Sequence, residues 1–313
     1  MMSGWTTADI PDQTGKRVVI TGATGGLGYE TALALAGKGA EVVLTGRSDA
    51  KGLDALNRIR QVYPAAKITY ETLDLASLAS VADFAARFTA ANQRLDILVN
   101  NGGVMMPPTR RTTADGFELQ FGTNHLAHFA LTGHLLPLLL AAPAPRVVNV
   151  SSGLHARGEI NFDDLQLEKS YSPMQAYGQS KLANLLFTFE LQRRSNANGW
   201  QLMSNAAHPG WATTDLMANG PGADSMMLRV SRFAAPFLAN TPAGGALPQL
   251  YAATDPHAEK AAFYGPTGLF ELKGAPGKSS MSSKARDMGV AARLWEVSER
   301  LTGVIYDARA RAA

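Results

Sequence analysis

Tyr177 and Lys181 stand four residues apart in Tyr177-Gly178-Gln179-Ser180-Lys181, where an apolar helical stretch begins and continues from Leu182 to Phe187. On a helix, positions i and i+4 share a face. A phenol titrates near pH 10 and is a poor acid or base at neutral pH. An ammonium about 4 Å away, at an effective dielectric of about 20, favours the phenolate by about 4 kcal/mol, or roughly three pKa units. Such a tyrosine could pass a proton to and from a carbinol oxygen. The same pair on an isolated helix is an ordinary solvated contact, so its surroundings decide.

Those surroundings include a strand running into Ser151-Ser152 and a glycine-rich turn near the N-terminus, Thr21-Gly22-Ala23-Thr24-Gly25-Gly26-Leu27-Gly28. The turn lies between an expected strand and an expected helix. Glycine permits a tight turn and close backbone approach, and a helix N-terminus offers free N–H groups, which together suit a pyrophosphate. A second Gly-Lys-Ser, at 277–279, lacks the earlier glycine of a phosphate-binding loop, because position 272 is Leu.

The elements around these residues read as alternating strands and helices. Arg17–Thr21, Glu41–Thr45, Lys67–Thr72, Leu95–Asn100, Arg146–Ser151 and Gln201–His208 read as short strands, bounded by polar or Gly residues. Helices are expected near 27–38, 50–62, 77–90, 116–140 and 174–195. This rhythm predicts an α/β fold, with a parallel sheet covered on both faces. It breaks after His208. Residues 209–240 read as a loop-and-helix flap, followed by a helix at 243–253, a Gly/Pro/Lys/Ser loop at 264–284 and a last helix near 285–302. No linker divides the 313 residues, which read as one domain.

Composition narrows the chemistry. Without cysteine there is no disulfide, thiolate metal site or Cys nucleophile. The net charge of +3 comes without a dense Lys/Arg run, so nucleic acid is not expected as a partner. A membrane span needs about 20 mostly apolar residues. Leu126–Ala142 is interrupted by His128, His134 and Pro137, and residues 1–12 resemble no leader. A soluble, cytoplasmic protein without a membrane anchor is expected. His125 and His128 lie three apart, but no third ligand presents itself and no metal is expected.

Taken together, the motifs resemble the short-chain dehydrogenase/reductase family, with segments similar to its retinol dehydrogenase-like branch. The turn at 21–28, Asp74-Leu75, Asn100-Asn101-Gly102-Gly103, Asn124, Ser152, Tyr177-x-x-x-Lys181 and Pro209-Gly210-x-x-x-Thr214 stand in the family's order. Phe121 to Leu126, Ser180 to Asn184 and the long insert from 152 to 177 carry the branch resemblance. Gly102 stands where the family usually has Ala.

The resemblance implies a Rossmann-type doubly wound sheet with a C-terminal substrate flap. It also implies roles. Ser152 would hydrogen-bond a carbonyl oxygen and Tyr177 would protonate it, although Ser151 is the alternative to Ser152. Lys181 would depress the Tyr177 pKa and hold the nicotinamide ribose. Asn124 would hold a relay water; kinking or capping its helix is the alternative. Gly22, Thr24, Gly25, Gly26, Leu27 and Gly28 would hold the pyrophosphate. Asp74 would meet the adenine amino group with Leu75 beside it, unless Asp74 is a helix N-cap. Asn101, Gly102 and Gly103 would line the adenosine side. Pro209, Gly210, Trp211 and Thr214 would meet the nicotinamide carboxamide and pyrophosphate.

In relatives that bind NAD, an acid at the end of the second strand accepts from the ribose 2′-hydroxyl. Here Gly46-Arg47-Ser48 carries no acid and offers a cation and a hydroxyl, which predicts NADP(H) in preference to NAD(H). The simpler alternative is that Arg47 merely begins a surface helix. Carbonyl reduction or alcohol oxidation is therefore expected, against a non-catalytic NADP-binding sensor or scaffold. A double-bond reductase such as the protochlorophyllide reductases is a third reading, but those are thought to use a cysteine that this chain lacks. Trp211, Leu216, Met217, Met226, Met227, Leu228, Phe233 and Phe237 make the flap apolar, which predicts a small apolar carbonyl or alcohol substrate unless they simply pack the core. His155, Trp211 and Met217 are candidate substrate contacts. A homodimer or homotetramer would use Leu131, Leu135, Leu138, Leu139, Leu185, Leu186 and Phe189, which could equally form one subunit's own core.

Overall fold

The computed structural model describes residues 4–211 and 240–306. Thr214, Met217 and the rest of the flap from 212 to 239 lie outside the described residues. The strands β1 (Arg17–Ile20), β2 (Glu41–Gly46), β3 (Ile68–Thr72), β4 (Ile97–Asn100), β5 (Arg146–Val150), β6 (Met203–Ala207), β7 (Phe263–Pro266) and β8 (Pro276–Lys278) form one sheet in the order β3-β2-β1-β4-β5-β6-β7-β8. Neighbours from β3 to β7 pair parallel. β8 pairs antiparallel with β7. The 264–284 stretch expected as loop therefore holds most of β7 and all of β8. Its Gly and Pro content hid a short edge hairpin, where strand propensity counts least.

Both sheet faces are covered. Val18, Ile20, Val42, Leu44, Ile97 and Val99 pack with Leu35 of α1 (Gly26–Gly37), Leu56 and Ile59 of α2 (Asp49–Val62) and Leu250 of α6 (Pro242–Thr254). Val19, Val43, Leu98 and Val147 point the other way. They pack with Phe84 and Phe88 of α3 (Leu78–Ala91), Phe129 of α4 (Ala127–Leu140) and Phe187 of α5 (Pro173–Ala197). Period-two alternation with both sides buried explains why these strands read as unbroken apolar runs.

The helix expected over 116–140 is not continuous. Glu118 accepts from the N–H groups of Gln120 (3.0 Å) and Phe121 (2.7 Å) and starts a short turn, Leu119–Phe121. A π-helical turn follows over Gly122–Leu126 and leads into α4. Among the described residues, no helix is long and apolar enough to cross a membrane.

The proposed self-association faces are corrected by the packing. Leu131, Leu135, Leu138, Leu139, Leu185, Leu186 and Phe189 are all buried within the single chain. The first four join the core over α3 and the last three pack with Ala291 and Leu294 of α7 (Met288–Thr302). The apolar periodicity identified the buried faces but not their partners, which are α3 for the first group and the chain's own last helix for the second. These residues offer no surface to a second copy.

Trp295 anchors that helix. It is 2% exposed, and its ring centroid lies 5.0 Å from Phe129 and 4.5 Å from Tyr306, with the Arg194 guanidinium 4.4 Å from the ring. Trp295→Ala leaves a large cavity and should lower the unfolding free energy by about 3–5 kcal/mol. Denaturant titration measures it, and a loss below about 1 kcal/mol would show that α7 is not anchored there.

Candidate active site

β1 delivers the glycine turn. Gly22 and Gly26 have φ of 63° and 53°, a region that favours glycine. A Cβ on Gly28 would lie 2.4 Å from the Gly22 carbonyl oxygen, so only glycine lets α1 close on the turn. Gly25 is the N-cap of α1, and no side chain caps the first N–H groups. Those groups and the glycine backbone fit a dinucleotide pyrophosphate.

Asn101 braces the turn, donating from Nδ2 to the carbonyls of Thr21 (2.8 Å) and Gly22 (3.3 Å). Gly102 packs against it so closely that a Cβ would meet Leu75 at 2.6 Å and the Gly22 nitrogen at 3.3 Å. Asp74 is not the cap of α3. Ser77 holds that position, while the Asp74 carboxylate accepts from the Ala76 N–H at 2.9 Å. Gly103, expected on the adenosine side, lies deeper: its Cβ would be 2.9 Å from Asn124 Oδ1 and 3.9 Å from Lys181 Nζ. At the end of β2, Thr24 packs against Gly46, where a Cβ would lie 2.7 Å from the Thr24 methyl. Arg47 is exposed. Ser48 is the N-cap of α2, yet its hydroxyl makes no capping bond.

The helix α5 brings Tyr177 and Lys181 to the end of β5. Both are buried, at 5% and 4% exposure. Lys181 Nζ donates to the Val150 carbonyl (3.1 Å) and lies 5.5 Å from the centre of the Tyr177 ring. The two serines differ. Ser151 is buried and donates from Oγ to the Lys181 carbonyl at 2.8 Å, so it fastens the helix to the strand. Ser152 is partly exposed, and its hydroxyl is near enough to Tyr177 to lower the phenol's pKa. Asn124 lies in the π-helical turn. Its amide brackets the backbone of Val104, accepting from N–H at 2.8 Å and donating to C=O at 3.0 Å, and it also donates to Ser180 Oγ at 2.9 Å. It caps no helix, since the turn that holds it runs straight on into α4.

The expected depression of the phenol is not what this geometry produces. Burial pushes Tyr177 up to about 12, with Ser152 acting in the opposite direction. Burial also pulls Lys181 down from 10.5 to about 8. The ammonium sits over the ring face and is turned toward Val150, so desolvation outweighs its attraction for a phenolate.

The model of the short chain dehydrogenase family matches residues 16–222. The chain belongs to the short chain dehydrogenase family. It is 40% identical over 302 residues to retinol dehydrogenase 12 of Mus musculus, covering 96% of this chain and 90% of that one. It is 38% identical over 300 residues to polyprenol dehydrogenase of Danio rerio, covering 95% and 89%. A crystal structure of an uncharacterized protein from Mycobacterium Paratuberculosis is 41% identical, with TM-score 0.79 over 97% of this chain and 100% of that one. Within its family this short chain dehydrogenase is retinol dehydrogenase-like.

His155 is placed differently from a substrate contact. It is 3% exposed, its Nδ1 lies 2.7 Å from the Ser152 carbonyl and its Nε2 accepts from the Ser282 N–H at 3.2 Å. Both nitrogens are committed to backbone, so the ring ties the Ser152 turn to the C-terminal segment of this dehydrogenase. His208 accepts from the Gly210 N–H at 3.2 Å and meets Glu271 at 3.1 Å. Gly210, at φ 69°, follows Pro209, and the partly exposed Trp211 donates its N–H to the Leu272 carbonyl at 3.0 Å.

Sequence reasoning missed a buried polar ladder beneath the site. Asn100 donates to Thr132 on α4 (3.0 Å) and to Asn149 on β5 (2.8 Å), and Asn149 donates to Thr188 on α5 (3.0 Å). The signal was present: Asn149 interrupts the valine run of β5.

The site burdens the fold. The folded pKa of Lys181, about 8, lies below its ordinary 10.5, so between those values the unfolded chain binds more protons and stability rises with pH. The penalty is present in full below about pH 8. Lys181→Met should therefore stabilise the cofactor-free protein at pH 7 by about 3 kcal/mol, with the gain vanishing above about pH 10.5. Asn184 still donates to Val150 at 3.1 Å in that variant. Unfolding titrations at the two pH values test this, and a destabilised variant at pH 7 would contradict it.

Proposed function

We propose that this short chain dehydrogenase is an NADP(H)-dependent oxidoreductase interconverting an apolar ketone or aldehyde and its alcohol. The observation that carries the proposal is the buried Tyr177–Lys181 pair beside Ser152, at the same C-terminal end of the parallel strands as the glycine turn. Tyr177, held near 12, is a neutral phenol at pH 7 and can donate its proton to a carbonyl oxygen. Ser152 presents its hydroxyl to that same oxygen. Asn124 fixes the Val104 backbone beside them. When bound, the nicotinamide supplies the hydride.

The preference for NADP(H) rests on the end of β2. No acid stands at Gly46-Arg47-Ser48, the Arg47 guanidinium has no hydrogen bond or ion pair with the described residues, and the Ser48 hydroxyl is not used as a cap. A forked cation and a hydroxyl suit a 2′-phosphate. The apolar substrate class is supported by the names of the relatives, retinol and polyprenol dehydrogenases, and by the Met- and aromatic-rich sequence of the flap. Residence in the cytoplasm belongs to the same proposal, and cell fractionation tests it.

Mixing the protein with NADPH and a panel of ketones and aldehydes, and following absorbance of the reduced cofactor, tests the activity. Bulky aromatic and aliphatic carbonyls, retinal among them, should be turned over faster than small charged ones. Preference for a phosphorylated or carboxylate substrate would refute the substrate class. Run with both cofactors, the same assay should show about ten- to a hundredfold higher kcat/KM with NADPH, the range expected of a charge-assisted contact. Arg47→Asp should reverse that order by restoring a ribose acceptor and repelling the phosphate. An unchanged cofactor ratio in Arg47→Asp would remove Arg47 from phosphate recognition.

A further inference from the structure

Thr21 follows directly on β1, and its hydroxyl oxygen accepts from two backbone N–H groups, those of Asn101 (2.9 Å) and Gly102 (2.8 Å). Its own proton has two acceptors in reach, His128 Nε2 at 2.8 Å and the more distant Val99 carbonyl at 3.4 Å. On the other side of the imidazole, Nδ1 lies 3.0 Å from the main-chain carbonyl of Asn124. A carbonyl only accepts, so Nδ1 carries the ring proton and Nε2 receives the Thr21 hydroxyl. His128 is 1% exposed, and burial pulls its pKa down to about 4, which keeps the ring neutral with this one tautomer.

An unbroken hydrogen-bonded path therefore runs from the Asn101-Gly102 backbone through Thr21 and His128 to Asn124. Its two ends serve different parts of the site. At one end are the glycine turn and the strand edge that packs on it. At the other is the π-helical turn, in which the Ala127 N–H bonds to the Gly122 carbonyl and the Asn124 carbonyl meets a side chain. Gly103 follows directly on the first end and lies against Asn124 and Lys181 at the second. His128 is itself pinned, since its carbonyl accepts from Thr132 at 2.7 Å, and Thr132 accepts in turn from Asn100.

We propose that His128 is a positioning residue that holds the Asn124 turn and the Thr21/Asn101–Gly103 edge of the cofactor cradle in one register, so that dinucleotide binding and the alignment of the proton-transfer groups are coupled through it. This rests on the nucleotide-dependent activity proposed above.

The test uses His128→Phe, Thr21→Val, the double variant and Thr21→Ser in the full chain. NADP+ binding is measured by calorimetry, and kcat is measured on a carbonyl that the wild type reduces. His128→Phe and Thr21→Val should each weaken NADP+ binding about tenfold and lower kcat by a similar factor, because both break the same path. The double variant should fall within about twofold of the worse single variant, as coupled groups do, instead of multiplying the two losses. Thr21→Ser, which keeps the hydroxyl, should stay within about twofold of wild type. The proposal is overturned if His128→Phe binds NADP+ and turns over within about twofold of wild type, whatever its melting temperature, or if the two losses multiply. Should His128→Phe fail to fold, the Thr21→Val and Thr21→Ser pair decides alone, and equal NADP+ affinities in those two overturn it. A wild-type protein that binds no NADP+ would instead sink the functional proposal, a result distinct from normal binding left untouched by the variants.

Discussion

An ammonium held away from water is costly unless its charge finds partners, because desolvation exceeds what one hydrogen bond returns. Lys181 is 4% exposed and has one acceptor among the described residues, the Val150 carbonyl. Its pKa falls to about 8, and that of the neighbouring Tyr177 rises to about 12. These two shifts have one leading cause, burial. The surrounding structure must keep both groups dry and in place without letting the helix drift.

The support is polar as well as apolar. Ser151 clamps the Lys181 carbonyl, and Asn184 shares the Val150 carbonyl with Lys181. The Asn100–Asn149 pair, directly opposed in register between β4 and β5, reaches Thr132 on one helix and Thr188 on the other. Each threonine also donates to the carbonyl four residues earlier on its own helix. The helix carrying Tyr177 and Lys181 and the helix that follows Asn124 are thus tied to two central strands by directional bonds, which specify a single arrangement where apolar packing alone tolerates several. The last helix, anchored by Trp295, closes the outer side.

Much of this was legible because it depends on local spacing. The Tyr177–Lys181 interval, the glycine turn and the strand–helix alternation are periodic signals, and the sheet carries them in the expected order. What was not legible depends on tertiary register. Ser151 and Ser152 are chemically alike, and only the neighbouring strand and helix decide that Ser151 faces the core and Ser152 the phenol. The sign of the Tyr177 shift depends on how deeply α5 is buried, which spacing cannot reveal. The leucines of α4 and α5 announced buried faces without saying that α3 covers the first and the chain's own last helix the second. The edge hairpin at 263–278 was masked by glycine and proline, and His155, three residues beyond Ser152, turned out to be held by backbone on both sides.

The central claim is that the Tyr177 phenol carries the proton. Tyr177→Phe keeps the ring and its packing and removes only the hydroxyl. Turnover of a carbonyl substrate with NADPH, measured alongside direct NADP+ binding, tests it most directly. The account predicts a fall in kcat of about 10²–10⁴-fold with cofactor affinity held within about twofold. Turnover within about twofold of wild type would contradict it.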